Sequence, residues 1–496
     1  MAAFIKSKWK KMAALLLALA LFVFAVACTA DNPTPGGDDP ETPIETPEDP
    51  DPSEPDTPGG GDEDEFEFAY DTSYEPTLFD AESASFTVTE LAEGVHLIEN
   101  RITLNNGNVS VVYATEVDLS LADIVAGTAG NDTWDYDWQK AVPYSQLQAW
   151  EEDHADSRVL ACVNADFFGG LYTTTSVNAF VKDGIILKAG HNDNGNYDYS
   201  DLSSDVPASA PMLFGVKGDT AQIAPIVSYE GDITSAEVKQ QLIQAQLSYT
   251  GKFSHHYSEH VISVSGTIGT DSLAFLSSGT ATAPAGSIIL TLSLGDPASL
   301  EITGKSEAIF SETLTAGSGT GYLVMHPDYE GNKSALRLAD VGDTLQLTVV
   351  SPDGLWDGYD TILGCRQALV IDGAVAETVA LENTNGAQSA GVPRTAVGIK
   401  QDGTVVIFSV EGLRYGNNSQ DESESYGMNL PQLAQFIRFY GCLQSANFDG
   451  GGSTQLIVQE NGEHRVAVRS SDTGSSSLSS SRAVMNTLLV TAPKGV

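Results

Sequence analysis

The arrangement of this chain is decided by one stretch, Asn447-Phe448-Asp449-Gly450-Gly451-Gly452-Ser453-Thr454-Gln455-Leu456. A helix-like segment, residues 430–440, leads through a short apolar piece into this run of carboxylate, glycines and hydroxyls. Glycine accepts positive φ and lets other groups approach closely. The loop is therefore predicted to turn its N–H groups toward an anion, with Asp449 held at the end of a strand. The alternative is a plain tight turn between two strands.

Three further stretches, each beside strand-like sequence, favour a functional site over a plain turn. These are Asn164-Ala165-Asp166-Phe167-Phe168, Pro393-Arg394-Thr395 and Arg482-Ala483-Val484-Met485-Asn486.

Composition restricts the class of partner. A chain of 496 residues suggests two to three domain-sized units, or one large domain with insertions. Hydrophobic residues make up 41%, which is enough for a substantial core. The formal net charge of −43 argues against nucleic acid and anionic membrane surfaces as partners. An anionic substrate must therefore be met by a local group of arginines and N–H donors.

Residues 1–28 have the features of a lipoprotein-type signal peptide. Lysines precede a Leu/Ala-rich run that is too short for a comfortable membrane span, and small residues lead into Cys28. Cys28 is predicted to be the lipidated N-terminus of an exported protein held at the bacterial cell surface or envelope. The lipid would be its only membrane contact. Ordinary secretion and a retained anchor helix are the alternatives.

The rest of the chain is predicted to be strand-rich. Residues 29–66 are acidic and Pro-rich and form a disordered tether. Alternating patterns begin at Phe86, and helices are expected only over a few segments such as 144–155 and 431–440. The predicted fold class is α/β (α+β), with a mixed, strand-rich sheet core. Its parts are an N-terminal part of the main domain (85–225), a β-rich insertion or accessory subdomain (226–355), and a C-terminal part that carries the main motifs (356–496).

Three cysteines remain after Cys28, namely Cys162, Cys365 and Cys442. An odd number argues against a full disulfide framework, and there is no Cys-x-x-Cys or zinc spacing. These cysteines are predicted to be small buried filler near a site.

Together the motifs resemble the phosphodiester glycosidase family. The match is weak from about Val109, poor in the middle insertion and strong toward the C-terminus, and it rests on residues 163–168, 393–398, 427–442, 447–454 and 482–490. The Asp-Gly-Gly-Gly-Ser-Thr loop after a helix, with Pro-Arg-Thr upstream, is its most specific part. The resemblance implies an α/β domain and a hydrolase acting on a glycan-1-phosphate.

Two departures from the family pattern bear on activity. Asn164-Ala165-Asp166 stands where the family usually has Asn-Gly-Gly. Glu411-Gly412-Leu413-Arg414 stands where the family usually has Asp-Gly-Arg. A longer carboxylate and a shifted arginine are expected to move the site or change its substrate.

The chemistry requires a carboxylate and an anion clamp. Cleavage of a sugar–phosphate bond gives the anomeric carbon oxocarbenium character. A carboxylate can stabilise this positive charge, attack the anomeric carbon as a nucleophile, or activate a water molecule. Asp449 is the first candidate for this carboxylate and Glu411 the second. Phosphate favours arginine and backbone N–H donors, so Arg394 is the predicted clamp. The predicted substrate-binding residues are Asn164, Asp166, Phe168, Asp372, Thr395, Asn447, Gly450, Gly451, Gly452, Ser453 and Arg482.

Several of these residues have structural alternatives. Arg394 could only brace Asp449, and Asp449 could only cap the glycine turn. Asn164 and Asn447 could hold loops rather than sugar hydroxyls, and Asp372 fits a plain Asp-Gly turn. Phe168 could belong to the core, and Arg482 could pair with surface acids.

Two functions are compatible with these observations. One is a cell-surface hydrolase that removes a sugar from a phosphodiester in a glycan or envelope polymer. The other is a non-catalytic glycan-binding or envelope-organising lipoprotein on the same fold. A serine hydrolase using Ser453 is disfavoured because the second glycine of a nucleophile elbow is missing. A bound Ca²⁺ fits the acidity, although no loop has EF-hand spacing, and the metal requirement stays open.

Overall fold

The computed structural model describes residues 66–130, 138–168, 176, 178–188, 212–225, 244–250, 256–263, 268–270, 273–277, 279–296, 299–331, 334–350, 354–377, 379, 392–412 and 425–494. The predicted signal peptide, Cys28 and nearly all of the predicted tether lie outside these residues. In the described part of the chain, no helix is both long and apolar enough to cross a membrane.

Strands dominate the described residues, which confirms the predicted strand-rich α+β class. In chain order they are β1 (Phe79–Ala92), β2 (Val95–Leu104), β3 (Val109–Val117), β4 (Asp123–Gly127), β5 (Ser157–Asn164), β6 (Phe180–Lys182), β7 (Ile185–Lys188), β8 (Met212–Lys217), β9 (Thr220–Pro225), β10 (Gln244–Thr250), β11 (His256–Ser263), β12 (Leu273–Leu276), β13 (Gly279–Ala283), β14 (Ile288–Ser293), β15 (Leu300–Glu307), β16 (Glu312–Ala316), β17 (Thr320–Met325), β18 (Thr344–Val350), β19 (Thr361–Gly364), β20 (Ala368–Ile371), β21 (Ala374–Val375), β22 (Arg394–Lys400), β23 (Val405–Val410), β24 (Cys442–Asn447), β25 (Leu456–Glu460), β26 (Glu463–Val468) and β27 (Thr487–Pro493). The helices among these residues are α1 (Pro143–Asp153), α2 (Ser334–Leu338) and α3 (Leu430–Tyr440), with a 3₁₀ turn at Gly451–Ser453.

Three open sheets carry most of these strands. The largest has the order β1-β2-β3-β23-β22-β24-β20-β21, and the others have the orders β26-β25-β5-β27-β4 and β7-β6-β19-β8-β9. Neighbouring strands in all three sheets run antiparallel. Because antiparallel neighbours reverse direction, the end of one strand lies beside the start of the next. This geometry gathers loops that are distant in sequence at one edge.

A closed barrel follows the order β10-β11-β12-β17-β14-β15-β18 and lies inside the predicted insertion 226–355. Its buried residues Phe275, Leu290 and Leu323 belong to the same hydrophobic cluster as Val181 and Ile362, from the sheet that contains β19. The barrel therefore shares apolar core with a neighbouring sheet. All three predicted segments, 85–225, 226–355 and 356–496, lie in the compact unit Glu67–Val496.

Helix α3 is defined by strong local signals. The Asn429 side chain accepts from the Gln432 N–H (2.8 Å), and the Gln432 side chain accepts from the Asn429 N–H (3.0 Å). This reciprocal capping box satisfies two N–H groups at the helix start. Gly441 ends the helix in the left-handed conformation, at φ 108°. The chain then enters β24, which carries it across the sheet to Asp449.

Residues before the first predicted strand also pack on this helix. The first strand begins earlier than the alternating pattern from Phe86 predicts, since β1 starts at Phe79. The Tyr70 ring stacks on Phe439 with centroids 4.7 Å apart, and its hydroxyl donates to Asn100 Oδ1 (2.8 Å). The segment that follows the predicted tether is thus fixed beside the C-terminal end of α3. The start of β24 also lies there, whereas Asp449 follows the other end of that strand.

The predicted burial of the cysteines is confirmed, because Cys162, Cys365 and Cys442 are all buried and none forms a disulfide. Burial raises the pKa of the Cys162 thiol to about 12. A buried thiol that resists ionisation is a poor nucleophile.

Candidate active site

The candidate site lies where the ends of several strands converge. Asn447, the last residue of β24, pairs with Ala396 near the start of β22. In the adjacent sheet, Asn164 at the end of β5 pairs with Thr487 at the start of β27. The two edges meet because the Asp449 N–H donates to the Ala165 carbonyl (3.0 Å). The Asn164, Pro-Arg-Thr and Asp-Gly-Gly-Gly motifs are therefore neighbours, as the resemblance implied.

The backbone N–H groups of the glycine loop donate hydrogen bonds to acceptors within the protein. The N–H of Gly450 donates to Asp449 Oδ1 (2.9 Å), and the N–H of Gly451 donates to the Pro393 carbonyl (2.9 Å). The N–H of Ser453 donates to the Gly450 carbonyl (3.3 Å). These three N–H groups already have acceptors, which corrects the prediction that they are turned toward a phosphate. Gly451 has φ +62°, a conformation in which glycine is the least strained residue.

Three predicted substrate-binding residues lie beneath the loop and brace it. Asn164 is fully buried, and its amide donates to the Asp449 carbonyl (2.6 Å). Its carbonyl accepts from the Thr395 hydroxyl (2.7 Å), which is buried as well. The Asn447 side chain accepts from the Gln367 N–H (3.2 Å). These contacts favour the loop-holding alternative for Asn164 and Asn447.

Asp449 lies at the edge of this support and is partly buried. Burial raises the pKa of its carboxyl above the ordinary value of 3.8. The Ser453 hydroxyl, the Arg482 and Arg366 guanidinium groups and the Gly450 N–H oppose this rise in pKa. A carboxyl with opposing influences on its pKa, placed at the meeting point of several loops, is a candidate reactive group.

Arginines surround the loop in a chain that is otherwise strongly acidic. Arg394 lies beside the loop, since a Cβ built on Gly450 would lie 3.8 Å from its Nη1, and its Nε donates to the Met428 carbonyl (3.1 Å). Arg482 Nη1 donates to the Ser453 hydroxyl (3.4 Å). Arg366 acts on Asp449 electrostatically and lies over the Phe167 ring at 5.7 Å. The loop is thus a local concentration of positive charge.

Glu411, the second predicted carboxylate, follows β23 at the same edge. Its Oε1 accepts from Arg469 Nε (3.2 Å) and Nη2 (3.1 Å). The pair is mostly buried, with side-chain exposures of 14% for Glu411 and 21% for Arg469. The structure therefore gives Glu411 an ion-pairing partner on the segment that follows β26.

Asp166, Phe168 and Asp372 have different positions. Asp166 is buried, and its carboxylate accepts from the Asn178 N–H and side-chain amide (both 3.0 Å), which corrects its predicted contact with substrate. Phe168 is partly exposed and has Lys140 Nζ over its ring at 5.0 Å, so it stays a candidate sugar platform.

Asp372 is an exposed turn residue with φ 48° that accepts from Gln444 (2.8 Å). Gln444 lies within β24, five residues before Asp449, so the site role predicted for Asp372 is corrected to a turn role.

Sequence reasoning missed three charged residues at the site: Arg366, Arg469 and Asp472. Arg366 directly follows the buried Cys365, and its backbone N–H donates to the Asn447 carbonyl (3.0 Å). Arg469 and Asp472 stand at the start of the Ser-rich segment after β26. The only sequence feature that could have indicated Arg469 and Asp472 is that they are charged residues at the start of a Ser-rich stretch.

In the described part of the chain, no group of three or more His, Cys, Asp or Glu residues comes together to hold a metal ion. The charged groups that act on the pKa of Asp449 are the Arg482 and Arg366 guanidinium groups. The donor set around the loop is therefore suited to an anion more than to Ca²⁺.

Comparison with known proteins identifies the class. Residues 304–491 match the family model described as phosphodiester glycosidase, which confirms the resemblance of the motifs. This match begins inside the barrel and contains the Pro-Arg-Thr and Asp-Gly-Gly-Gly motifs. This part of the chain is therefore similar to phosphodiester glycosidases. Asn164, which braces Asp449, comes from before the matched region.

Among curated proteins, the chain is similar to mouse N-acetylglucosamine-1-phosphodiester alpha-N-acetylglucosaminidase, with 32% identity over 65 residues. That stretch is 13% of this chain and only 11% of the mouse protein.

Solved structures also match this chain, among them the following three. A hypothetical protein from Synechocystis has a TM-score of 0.47 at 13% identity, with 82% of this chain and 64% of that chain covered. A putative exported protein from Burkholderia pseudomallei has a TM-score of 0.47 at 14% identity, with 86% and 100% covered. The zebrafish N-acetylglucosamine-1-phosphodiester alpha-N-acetylglucosaminidase catalytic domain, auto-inhibited by its pro-peptide, has a TM-score of 0.39 at 12% identity, with 84% and 96% covered.

Proposed function

We propose that this chain is a glycoside hydrolase that cleaves the bond between a sugar and phosphate in a sugar-1-phosphodiester of a glycan or envelope polymer. The match to the family model supports the reaction class. The observation that carries the proposal is the position of Asp449, a partly buried carboxyl with raised pKa beside Ser453, Arg482 and Arg366.

In the proposed reaction the anomeric carbon of the sugar lies against Asp449. As the bond from this carbon to the phosphate oxygen breaks, positive charge develops on the sugar ring, and an ionised Asp449 stabilises that charge. Water supplies the hydroxyl of the released sugar and one proton. The phosphate oxygen keeps the bonding electron pair, so the products are the free sugar and a phosphomonoester.

Arginines at the loop are proposed to bind the phosphate. Arg482, Arg394 and Arg366 provide charged donors, and guanidinium groups form strong, directional hydrogen bonds with phosphate oxygens. Binding strengthens as the leaving phosphate gains charge, so the arginines stabilise the transition state more than the bound substrate.

The test is sugar release from a panel of sugar-1-phosphodiesters, α-linked N-acetylglucosamine included, with and without added Ca²⁺. Asp449→Asn should reduce turnover by about 10²-fold or more if it removes the group that stabilises the developing charge. Asp372→Asn is the matched control, because this Asp is exposed in a turn and its carboxylate accepts from Gln444, and its turnover should equal that of the wild type. Equal turnover in Asp449→Asn would remove Asp449 from the mechanism. Glycan binding without turnover by the wild type would favour the non-catalytic lipoprotein.

The location at the cell surface is a separate part of the proposal. It rests on the lysine-rich start, the apolar run and the small residues before Cys28. Cys28→Ser should release the protein from the membrane fraction of cells that express the full chain. Unchanged membrane retention of the variant would contradict lipid anchoring.

A further inference from the structure

Asp472 lies directly on the glycine loop. A Cβ built on Gly452 would be 2.1 Å from Asp472 Oδ1 and 2.5 Å from its Oδ2, closer than real Cβ contacts come. Gly452 does not have a positive φ, so its backbone conformation is open to other residues. A side chain at 452 would therefore require the Asp472 carboxylate to move, whereas the turn itself would accept another residue.

The same carboxylate pairs with an arginine that acts electrostatically on Asp449. Arg482 Nε donates to Asp472 Oδ2 (2.5 Å), while Arg482 Nη1 donates to the Ser453 hydroxyl (3.4 Å). Ser453 is in turn hydrogen-bonded to Asp449. The carboxylate of Asp472 thus lies between the Arg482 guanidinium group and Gly452. Gly452 directly precedes Ser453, the residue that contacts the candidate reactive carboxyl of Asp449.

We propose that Asp472 occupies the anion position of this site and that the phosphate of the substrate must displace it. A carboxylate and a phosphate are both oxyanions recognised by arginine donors. A Cβ at 452 would overlap the carboxylate in this position, so the glycine leaves the space open to an oxyanion. The inference rests on the proposed function in one respect, that the incoming anion is the substrate phosphate.

The position of Asp472 in the chain allows such a displacement. It belongs to the segment between β26 and β27, which is attached to the loop by the Ser470 hydroxyl bond to the Gly452 carbonyl (2.5 Å). The segment is closed on itself by the Thr473 hydroxyl bond to the Ser480 carbonyl (2.9 Å). The Asp472 and Arg482 side chains keep 36% and 41% exposure, so the carboxylate can turn into solvent while Ser470 and Thr473 keep their bonds.

The test is calorimetric binding of inorganic phosphate to the full chain, with wild type, Asp472→Asn and Asp472→Ser compared. Removing the resident anion should lower the phosphate Kd by about fivefold, the factor that corresponds to one partly exposed ion pair. Asp472→Ser should bind more tightly than Asp472→Asn, because the asparagine amide still fills the space over Gly452. Glu460→Gln, which removes one carboxylate from the exposed Arg465 pair, is the matched control and should leave the Kd unchanged.

Three results would overturn the inference. One is weaker phosphate binding in both Asp472 variants, which would make Asp472 a residue that positions Arg482. Another is equal strengthening in both Asp472 variants, since a change of local charge alone would explain it. The last is an absence of phosphate binding in every variant. Sugar release is not used as a readout, so the inference and the proposed hydrolase activity can fail independently.

A double-mutant cycle provides a second measurement that does not depend on phosphate. Gly452→Ala should destabilise the wild type because the new methyl group meets the Asp472 carboxylate, and it should be milder in the Asp472→Ser background. Additive effects on the free energy of unfolding would show that Asp472 does not rest on Gly452, and would contradict the inference.

Discussion

The side-chain amide of Asn164 donates to the backbone carbonyl of Asp449 across 2.6 Å, although 285 residues separate them in the chain. The same side chain accepts from the Thr395 hydroxyl and from the Gln455 N–H. One buried amide therefore joins β5, β22 and the loop that precedes β25. The position of the candidate reactive carboxyl depends on this connection.

Asn164→Ala should lower the free energy of unfolding by about 2–3 kcal/mol, because the substitution leaves buried partners without hydrogen bonds. Turnover should fall as well, since Asp449 loses the contact that holds its backbone. Urea unfolding, with activity measured on the folded fraction, checks both effects. Asn106→Ala, in an exposed turn, is the control and should change stability by no more than about 0.5 kcal/mol. Wild-type stability in Asn164→Ala would contradict the bracing role.

Asp449→Asn should stabilise the protein at neutral pH. The folded-state pKa of Asp449 is raised above 3.8, chiefly by burial. A raised folded pKa means that the ionised form is penalised in the folded state, so the stability contributed by the protonated form is lost as pH rises through that pKa. The Tm of the variant should exceed that of the wild type at pH 7, and the difference should shrink toward pH 3.5. A difference that is constant with pH would argue against titration of Asp449 as its cause.

Ser453→Ala should move the pH dependence of turnover as well as reduce it. The Ser453 hydroxyl lowers the pKa of Asp449, so its removal should raise that pKa further. If ionised Asp449 is the active form, the rising acid limb of kcat/KM should shift to higher pH. Arg482→Gln should shift the limb in the same direction, while Ser453→Thr, which keeps a hydroxyl, should restore it. A reduced rate with an unmoved acid limb would mean that Ser453 acts by some other route.

Glu411→Gln should retain turnover within about tenfold of the wild type, in contrast to Asp449→Asn. Its carboxylate is engaged by both Nε and Nη2 of Arg469, and a charge held in that way is expected to fix the segment after β26. Arg469→Gln should change turnover to a similar extent, because both substitutions break the same ion pair. Each leaves one charged partner mostly buried beside a neutral amide. Loss of turnover in Glu411→Gln with wild-type turnover in Arg469→Gln would make Glu411 a catalytic carboxylate.

The family and the local elements could be predicted from the sequence. The helix predicted over residues 431–440 is found as α3, and its capping box at Asn429 and its glycine end at Gly441 act within a few residues. The motifs were also enough to indicate that Asp449, Arg394 and Asn164 belong together. Their spacing along the chain fits a family arrangement, and residues 304–491 match that family.

What each polar group does at the site was decided only by tertiary structure. The sequence presents Gly450, Gly451 and Ser453 as N–H donors for an anion, but the Pro393 carbonyl and the loop itself accept from them. The sequence predicts that Asp166 binds substrate, yet both of its carboxylate oxygens accept hydrogen bonds from Asn178. Arg366 and Asp472 reach the site from segments with no motif. Turn and capping signals lie within a few neighbouring residues, whereas these pairings depend on strand register across hundreds of residues, which no short stretch of sequence encodes.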